Sequence, residues 1–140
     1  MSNLSNNYIA GDWVKGASSI SNINPSNTND VIGEFAQASS AQLEDALNSA
    51  QVAQRQWAAT GLEQRQAVLM KIGEEMMARS AELGELLSRE EGKPVAEGKG
   101  EVYRAGQFFT YYAAEVLRQG GDTADSVRPN IEIDVRREPM

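Results

Sequence analysis

Residues 95–118 read VAEGKGEVYRAGQFFTYYAAEVLR, and this stretch decides which kind of fold the chain forms. Val102, Phe109 and Val116 recur every seven residues, which places their side chains on one face of an α-helix. The predicted buried stripe consists of Val102, Ala105, Phe109, Tyr112 and Val116. A pair of glycines at 120–121 ends the helix, which we expect to run to Arg118.

The aromatic residues of this helix do not stay on one face. They are Phe108, Phe109, Tyr111 and Tyr112, and consecutive residues point about 100° apart around a helix. A helix that is apolar on several sides is normally covered on those sides. The pattern therefore predicts a helix packed among several neighbours, although few other segments of the chain are left to supply them.

Three more helices are predicted upstream from their capping residues. Ser39 with Gln42 fits a capping box, in which the hydroxyl accepts a hydrogen bond from a free backbone amide and the glutamine reaches back. Thr60 with Glu63 repeats the spacing, and Ser80 is the predicted N-cap of the third helix. Apolar residues at helical spacing follow the caps: Leu43, Leu47, Ala50 and Trp57, then Leu62, Leu69, Ile72 and Met76, then Leu83, Leu86 and Leu87.

Short strands are predicted at both ends of the chain. Apolar residues at 8–9 and 13–14 flank a turn, and a second apolar run at 20–23 is expected to pair with this first ribbon in antiparallel fashion. A cluster of turn-forming residues at 24–30 separates that run from a further strand at 31–38. Near the carboxyl end, apolar and charged residues alternate over 131–136, which is typical of a strand covered on one face.

Composition excludes several classes of site and partner. The chain has 140 residues, a length suited to one domain, and a formal charge of −7 that disfavours binding to nucleic acid or to anionic membranes. It contains neither cysteine nor histidine, so disulfides, thiolate nucleophiles, imidazole bases and common zinc ligands are absent from these residues. The first residues lack a signal-peptide pattern, and no stretch approaches the about 20 apolar residues of a membrane span. We therefore expect a cytoplasmic protein.

Two motifs invite a catalytic interpretation that their context does not support. GKPVAEGKG, residues 92–100, has the wrong glycine spacing for a phosphate-binding loop, and Gly100 stands where that loop needs serine or threonine. It also follows a predicted helix rather than a strand, so we interpret it as a helix end and restart. The adjacent acids Glu74 with Glu75 and Glu90 with Glu91 are interpreted as solvated helix surface.

Arg104 is a candidate ligand-binding residue. Gly100 lies one turn before it and Gln107 one turn after it on the same side of the helix, so a small gap and two polar donors share a face. The planar fork of an arginine suits a carboxylate. The alternative is a surface ion pair with Glu101 or Glu97, which the spacing alone favours.

Five stretches in order resemble the beginning of NAD(P)-dependent aldehyde dehydrogenases, in particular 2-oxoglutarate semialdehyde (2,5-dioxovalerate) dehydrogenases. They are YIAGDWV at 8–14, NINPSNTNDVIGEFAQAS at 22–39, EEGKPVAEGKGEV at 90–102, YYAAEVLR at 111–118 and REPM at 137–140. The resemblance covers nearly the whole chain. It implies a Rossmann-like α/β parent enzyme, of which this chain is the mostly α-helical first part with short N-terminal strands.

The resemblance also implies a division of the chain. Residues 1–128 correspond to the helical beginning of the dinucleotide-binding domain, with a β-ribbon at about 8–36. Residues 129–138 correspond to the start of an oligomerisation arm, and 139–140 lead into the Rossmann sheet. The expected parent is a homodimer or homotetramer that binds a small-molecule aldehyde and NAD or NADP.

In the resembled family, a cysteine thiolate attacks the aldehyde, a hydride passes to the nicotinamide, and water hydrolyses the thioester with a glutamate as base. Those residues and the cofactor-binding residues are expected beyond Met140, so this chain by itself should be inactive. Gly100, Arg104 and Gln107 match positions that line the substrate tunnel. Ile23 and Glu90 match positions that bind an alkali cation in some relatives, where the acidic position is the shorter aspartate. The competing hypothesis is an independent helical interaction module without catalysis.

Overall fold

The computed structural model describes residues 4–118 and 120–138. In chain order the elements are β1 (Leu4–Ser5), β2 (Asn7–Ile9), β3 (Asp12–Val14), β4 (Ser18–Ile23), β5 (Val31–Gln37), α1 (Ser40–Ala58), α2 (Leu62–Ala78), α3 (Ser80–Glu91), α4 (Val95–Val116), β6 (Asp122–Asp125) and β7 (Glu132–Val135). The predicted order of strands, four helices and a terminal strand is confirmed. The fourth helix ends at Val116 rather than Arg118, a difference within the usual fraying of helix ends.

The N-terminal strands form two small sheets rather than one ribbon. β2 and β3 make a hairpin around Ala10 and Gly11, which both have positive φ, 56° and 96°. The run at 20–23 was expected to pair with this hairpin, and that expectation is wrong. It lies in β4, which pairs antiparallel with β5, while β1 joins the other edge of β5 in parallel. The physical reason is the compact turn between β4 and β5, where Asn24 N donates to Asp30 O at 3.0 Å.

The first predicted helix cap is confirmed in full. Gln42 N donates to Ser39 Oγ at 3.2 Å, and Ser39 N donates to Gln42 Oε1 at 3.0 Å, so both halves of the capping box form. Gln42 Nε2 also donates to Lys15 O at 2.7 Å, which ties the start of α1 to the chain after β3. The box therefore holds the helix and the strand region together.

The second predicted capping box does not form. The N-cap of α2 is Gly61, which has no capping side chain. The hydroxyl of Thr60 instead donates back to Trp57 O at 2.6 Å, at the end of α1, and accepts from Arg65 Nε at 3.2 Å. Thr60 therefore closes the preceding helix, because Trp57 O accepts from both the backbone N–H and the hydroxyl of Thr60.

The predicted cap at Ser80 is also wrong. Ser80 is the first residue of α3, and the N-cap position is Arg79, whose φ and ψ of −97° and 15° join α3 closely to the end of α2. With so short a junction, Leu83 N donates to Arg79 O at 2.9 Å and needs no serine side chain.

Helix α4 packs against α2 and α3 on its glycine-bearing side. A Cβ added at Gly106 would lie 2.8 Å from Gly73 O, and one added at Gly73 would lie 2.7 Å from Gly106 O. Glycine at both positions therefore lets α2 and α4 approach closely. The buried hydrophobic residues near this contact are Val102, Ala113 and Val116.

The opposite side of α4 is open, which corrects part of the predicted buried stripe. Val102 and Val116 are buried as expected, but Tyr112 is 59% exposed, and Phe108 and Tyr111 are exposed with it. Helices α2 and α3 cover one side of α4, and no other described helix packs on the rest. The expectation of a helix covered on several sides is thus not met within the described residues.

The chain exposes far more surface than a compact protein of its mass. Its accessible surface is 10724 Å², whereas a folded monomer of 15.2 kDa is expected to expose about 7,100 Å². Large apolar side chains on α1, including Leu43, Leu47 and Val52, contribute to this excess. The described residues therefore enclose only a small core.

The carboxyl end forms a hairpin that stands away from the helices. β6 pairs antiparallel with β7, from Asp122 opposite Val135 to Asp125 opposite Glu132. The predicted strand is confirmed, but every residue of both strands is exposed, so neither of its faces is covered by a described residue. The sequence also predicted that residues 139–140 lead into a Rossmann sheet. Those two residues lie outside the described ranges.

In the described parts of the chain, none of the helices combines the length and the apolar character needed to span a membrane.

Candidate functional site

Two adjoining hollows lie along the open side of α4. The first, of about 470 Å³, is lined by Glu97, Gly100, Glu101, Arg104 and Gln107. The second, of about 370 Å³, is lined by Arg104, Gln107, Phe108, Tyr111 and Tyr112. Arg104 and Gln107 border both hollows, so the structure brings together the three residues Gly100, Arg104 and Gln107 singled out in the sequence.

Helical spacing explains this arrangement. Gly100, Arg104 and Gln107 lie at intervals of four and three residues, which keeps them on one face of α4. A Cβ added at Gly100 would meet no atom within 4 Å, so the absence of a side chain there leaves open space beside the arginine. The face is polar at its center and becomes aromatic toward the end of the helix.

Arg104 does not form the surface ion pair that its spacing favoured. Lys93 donates to Glu101 and also contacts Glu91, with 2.6 Å between Lys93 Nζ and Glu91 Oε2. The Glu101 carboxylate, followed by that of Glu91, raises the pKa of Lys93. Among the described residues, no carboxylate pairs with Arg104 and no side-chain hydrogen bond involves it. Its guanidinium is therefore available to a ligand.

The Gln107 side chain is also uncommitted within the described ranges. Its backbone carbonyl accepts a hydrogen bond from the Thr110 hydroxyl at 2.9 Å, whereas its amide makes none to a described residue. An amide offers two N–H donors and a carbonyl acceptor. Gln107 and Arg104 thus present unused donors one helical turn apart.

Aromatic rings form the wall of the second hollow. The rings of Tyr111 and Tyr112 meet edge to face with centroids 5.3 Å apart. Phe108 joins them one turn from Arg104. This wall offers an apolar surface to the carbon chain of a ligand whose charged end lies at the arginine.

Of the second pair singled out in the sequence, Ile23 and Glu90, the glutamate contacts the residue just before Ile23. Asn22 Nδ2 donates to Glu90 Oε1 at 2.7 Å, which joins the end of β4 to the end of α3. Ile23 follows Asn22 directly, so its backbone lies at the same corner as Glu90. The described ranges hold no group of three or more histidine, cysteine, aspartate or glutamate residues suited to a metal ion. A cation here would depend on backbone and single-carboxylate oxygens.

An ion pair beside this corner was missed in the sequence. Arg89 Nη2 donates to Asp30 Oδ1 at 2.6 Å and Arg89 Nε donates to Asp30 Oδ2 at 2.9 Å, while Asn24 Nδ2 donates to Asp30 Oδ2 at 3.1 Å. These hydrogen bonds, that from Arg89 first, lower the pKa of Asp30 to about 2. No local pattern could reveal a pair 59 residues apart; the only available signal was the aspartate that ends a run of turn-forming residues.

The motif GKPVAEGKG was interpreted as a helix end and restart, and the corner at residues 92–94 confirms this. Gly92 has a φ of 74°, the left-handed conformation that terminates α3, and α4 begins at Val95. Ser26 Oγ donates to Gly92 O at 2.6 Å, which fastens the turn after β4 to this corner. A helix, not a strand, precedes the corner, so it does not have the strand–loop–helix form of a phosphate-binding loop.

Comparison with known protein families gives one match over most of the chain. The model of the aldehyde dehydrogenase family matches residues 13–140. Among curated proteins, the chain is 30% identical over 142 residues to the alpha-ketoglutarate semialdehyde dehydrogenase of Haloferax volcanii, covering 100% of this chain and 30% of that protein. It is 33% identical to the glutarate-semialdehyde dehydrogenase of Pseudomonas putida, covering 95% of this chain and 28% of that protein.

Solved structures agree with this match. The betaine aldehyde dehydrogenase of Staphylococcus aureus, solved in complex with NAD+, aligns with a TM-score of 0.87 and 26% identity over 96% of this chain and 28% of that chain. An NADP dependent enzyme of E. coli aligns with a TM-score of 0.83 and 29% identity over 90% of this chain and 26% of that chain. The expected fold, a mostly helical part of a larger α/β enzyme, is confirmed by these neighbours.

Proposed function

Because the chain belongs to the aldehyde dehydrogenase family, we propose that the protein oxidises an aldehyde that carries a carboxylate, such as 2-oxoglutarate semialdehyde, to the corresponding acid. The chain spans 30% and 28% of the length of the two curated relatives described above. The reaction is therefore proposed for the whole protein, to which these residues contribute one part. The names of several relatives, which include alpha-ketoglutarate, glutarate and succinate semialdehyde dehydrogenases, support an acidic aldehyde as the substrate class.

The guanidinium of Arg104, which has no partner among the described residues, is the observation that carries this proposal. It borders an open hollow beside Gly100, and the neighbouring acid, Glu101, is occupied by Lys93. An arginine that lines a hollow and pairs with no described residue favours an anionic ligand, and its planar fork matches a carboxylate. The aromatic wall of the second hollow would contact the carbon chain between the two ends of the substrate.

The oxidant is proposed to be NAD+ or NADP+, the cofactors named for the neighbouring solved structures. A nicotinamide supplies a two-electron acceptor to such a reaction. The described residues do not fit that cofactor, because the only glycine-rich segment among them, at 92–100, consists of the corner after α3 and the first residues of α4 rather than a loop after a strand. We therefore assign the cofactor and the catalytic cysteine and glutamate to parts of the protein other than these residues.

A comparison of substrates tests this function directly. The full-length protein is assayed with succinate semialdehyde, glutarate semialdehyde and 2-oxoglutarate semialdehyde, and with neutral aliphatic aldehydes of the same lengths, using NAD+ and NADP+ in turn. The proposal expects kcat/KM to be higher for the carboxylate-bearing aldehydes. Equal or higher values for the neutral aldehydes would contradict it.

A weak alkali-cation site at Ile23 and Glu90 is a second, separate proposal. It is supported by the hydrogen bond between Glu90 and Asn22, the residue that precedes Ile23. Hard cations of this kind prefer oxygen ligands. Because the Asn22 amide engages one carboxylate oxygen, a cation would use the other oxygen of Glu90 together with backbone carbonyls.

The C-terminal hairpin is proposed to take part in assembly of a homodimer or homotetramer. β6 and β7 are exposed along their whole length, and an exposed strand edge pairs readily with another strand. The competing function, a helical interaction module without catalysis, is supported by the exposed aromatic side of α4. A reading frame that stops after Met140 would favour this module, whereas one that continues to a catalytic cysteine would favour the enzyme.

A further inference from the structure

We propose that Gln107 selects substrates that carry an oxo group on the carbon next to the carboxylate. This inference rests on the proposed function, since it assigns a role to Gln107 in the site where Arg104 binds the carboxylate. It narrows the substrate class from acidic aldehydes in general to 2-oxo acids.

Arg104 and Gln107 are close enough to bind one ligand together. Arg104 and Gln107 border both hollows and lie three residues apart on α4, a spacing that brings Cβ atoms to about 5–6 Å. Neither side chain is committed to a described residue. Two sets of unused donors at this separation can contact two neighbouring oxygen-bearing groups of one ligand.

The Arg104 guanidinium and the Gln107 amide suit different oxygen-bearing groups. The guanidinium matches a carboxylate with two parallel hydrogen bonds, whereas a glutamine amide donates well to a single carbonyl oxygen. In a 2-oxo acid the ketone oxygen is on the carbon bonded to the carboxylate carbon. A carboxylate bound at Arg104 therefore brings the ketone oxygen within reach of the next donor along the helix, which is Gln107.

The charges around the first hollow determine on which side of Arg104 the ligand lies. Glu97 also lines that hollow and forms no ion pair with a described residue, so no described cation offsets its carboxylate. Like charges repel, so the ligand carboxylate is disfavoured near Glu97. The acid group thus lies between Arg104 and Gln107, at the border with the aromatic hollow.

The aromatic wall does not supply this selectivity. Phe108 and Tyr111 offer apolar surface to methylene groups, which 2-oxoglutarate semialdehyde and glutarate semialdehyde both contain. These two substrates have five carbons and one carboxylate each, and they differ only in the oxo group. A hydrogen-bonding side chain is therefore needed to distinguish them, and Gln107 is the one next to Arg104.

The test compares the two substrates with the Gln107→Met variant of the full-length protein. Methionine has a similar length and helix propensity, so the fold is retained while the amide donors are lost. We expect kcat/KM for 2-oxoglutarate semialdehyde to fall by about fivefold to tenfold, as the loss of one neutral hydrogen bond predicts. The value for glutarate semialdehyde should change by less than about twofold. Gln64→Met, on the exposed surface of α2, is the matched control and should leave both values unchanged.

The outcomes separate this inference from the function on which it rests. An equal loss on both substrates, or no loss on either, would overturn the role of Gln107, even if Arg104→Met still reduced activity on both acids. If Arg104→Met affected acidic and neutral aldehydes alike, the carboxylate contact itself would be refuted. A wild-type protein without preference for the 2-oxo substrate over glutarate semialdehyde would also overturn the inference.

Discussion

The Arg89 guanidinium donates two hydrogen bonds, of 2.6 and 2.9 Å, to the Asp30 carboxylate, which lies 59 residues earlier in the chain. Asn24, at the start of the same turn, adds a third hydrogen bond. The pair fastens the turn between β4 and β5 to the last turn of α3, directly beside Glu90. The corner proposed to bind a cation is thus held by a charged contact that lies outside it.

Acid should weaken this contact over a defined range of pH. The hydrogen bonds from Arg89 and then Asn24 lower the pKa of Asp30 from 3.8 to about 2. A carboxyl group with a lower pKa in the folded state stabilises the fold above its unfolded pKa, and this stabilisation is lost as the pH falls through the folded pKa. The contribution of Asp30 is therefore complete above about pH 4 and lost by about pH 2.

Urea unfolding of the wild type and of Asp30→Asn at a series of pH values measures this contribution. The wild type should be the more stable protein by a constant amount above about pH 4, and the difference should close between about pH 4 and 2. Asp45→Asn, on the exposed surface of α1, is the control and should show no such closing difference. Parallel curves for wild type and Asp30→Asn would show that the ion pair does not form in solution.

Replacement of Arg104 should change substrate preference. Loss of a charged hydrogen bond to the ligand costs about 2 kcal/mol in transition-state binding, which is roughly thirtyfold in kcat/KM. Arg104→Met in the full-length protein should show this loss with carboxylate-bearing semialdehydes and spare a neutral aliphatic aldehyde of similar length. Arg55→Met, at the exposed end of α1, serves as the control. If both kinds of aldehyde lost activity equally, or neither did, the carboxylate would have to be bound by other residues.

The cation proposal predicts a dependence on the identity of the salt. Activity or thermal stability of the full-length protein should be higher in sodium or potassium chloride than in the chloride of a bulky organic cation at equal ionic strength. Glu90→Gln should reduce that difference, because the amide replaces a charged ligand with a neutral one. The site is to be abandoned if both proteins are indifferent to the cation.

Two glycines of α4 should respond in opposite ways to alanine. A Cβ at Gly106 would lie 2.6 Å from Met77 Cγ and 2.8 Å from Gly73 O, so Gly106→Ala forces α2 and α4 apart and should cost about 1–3 kcal/mol of unfolding free energy. A Cβ at Gly100 meets no atom within 4 Å, so Gly100→Ala should gain up to about 1 kcal/mol from helix propensity. Thermal or urea unfolding measures both, and similar effects of the two changes would argue against the close helix contact.

The 140-residue chain studied alone should be poorly stable or self-associated. Its surface exceeds that of a compact monomer of equal mass by about 3,600 Å², and the excess includes the aromatic side of α4 and the apolar side of α1. We expect binding of a dye specific for exposed apolar surface and a broad unfolding transition. A monodisperse monomer with a sharp transition and no dye binding would contradict this expectation.

The features that the sequence predicted correctly depend on neighbouring residues. They are the capping box of Ser39 and Gln42, the end of α3 at Gly92, and the burial of Val102 and Val116, and each involves residues within a few helical turns. Their hydrogen bonds and conformations follow from short-range geometry, so the sequence pattern was sufficient.

Tertiary structure decided the remaining features, because they depend on which distant groups come together. Thr60 fits a capping box by spacing, yet its hydroxyl donates to the backbone carbonyl of Trp57 instead. Arg104 fits an ion pair with Glu101 by spacing. In the structure, however, Glu101 pairs with Lys93, which lies in the corner before α4. The spacing of residues along one helix indicates only which ion-pair and hydrogen-bond partners are possible. Only the packed structure determines which partner each charge obtains, and here it gives Arg104 no partner within the part of the chain that the structure describes.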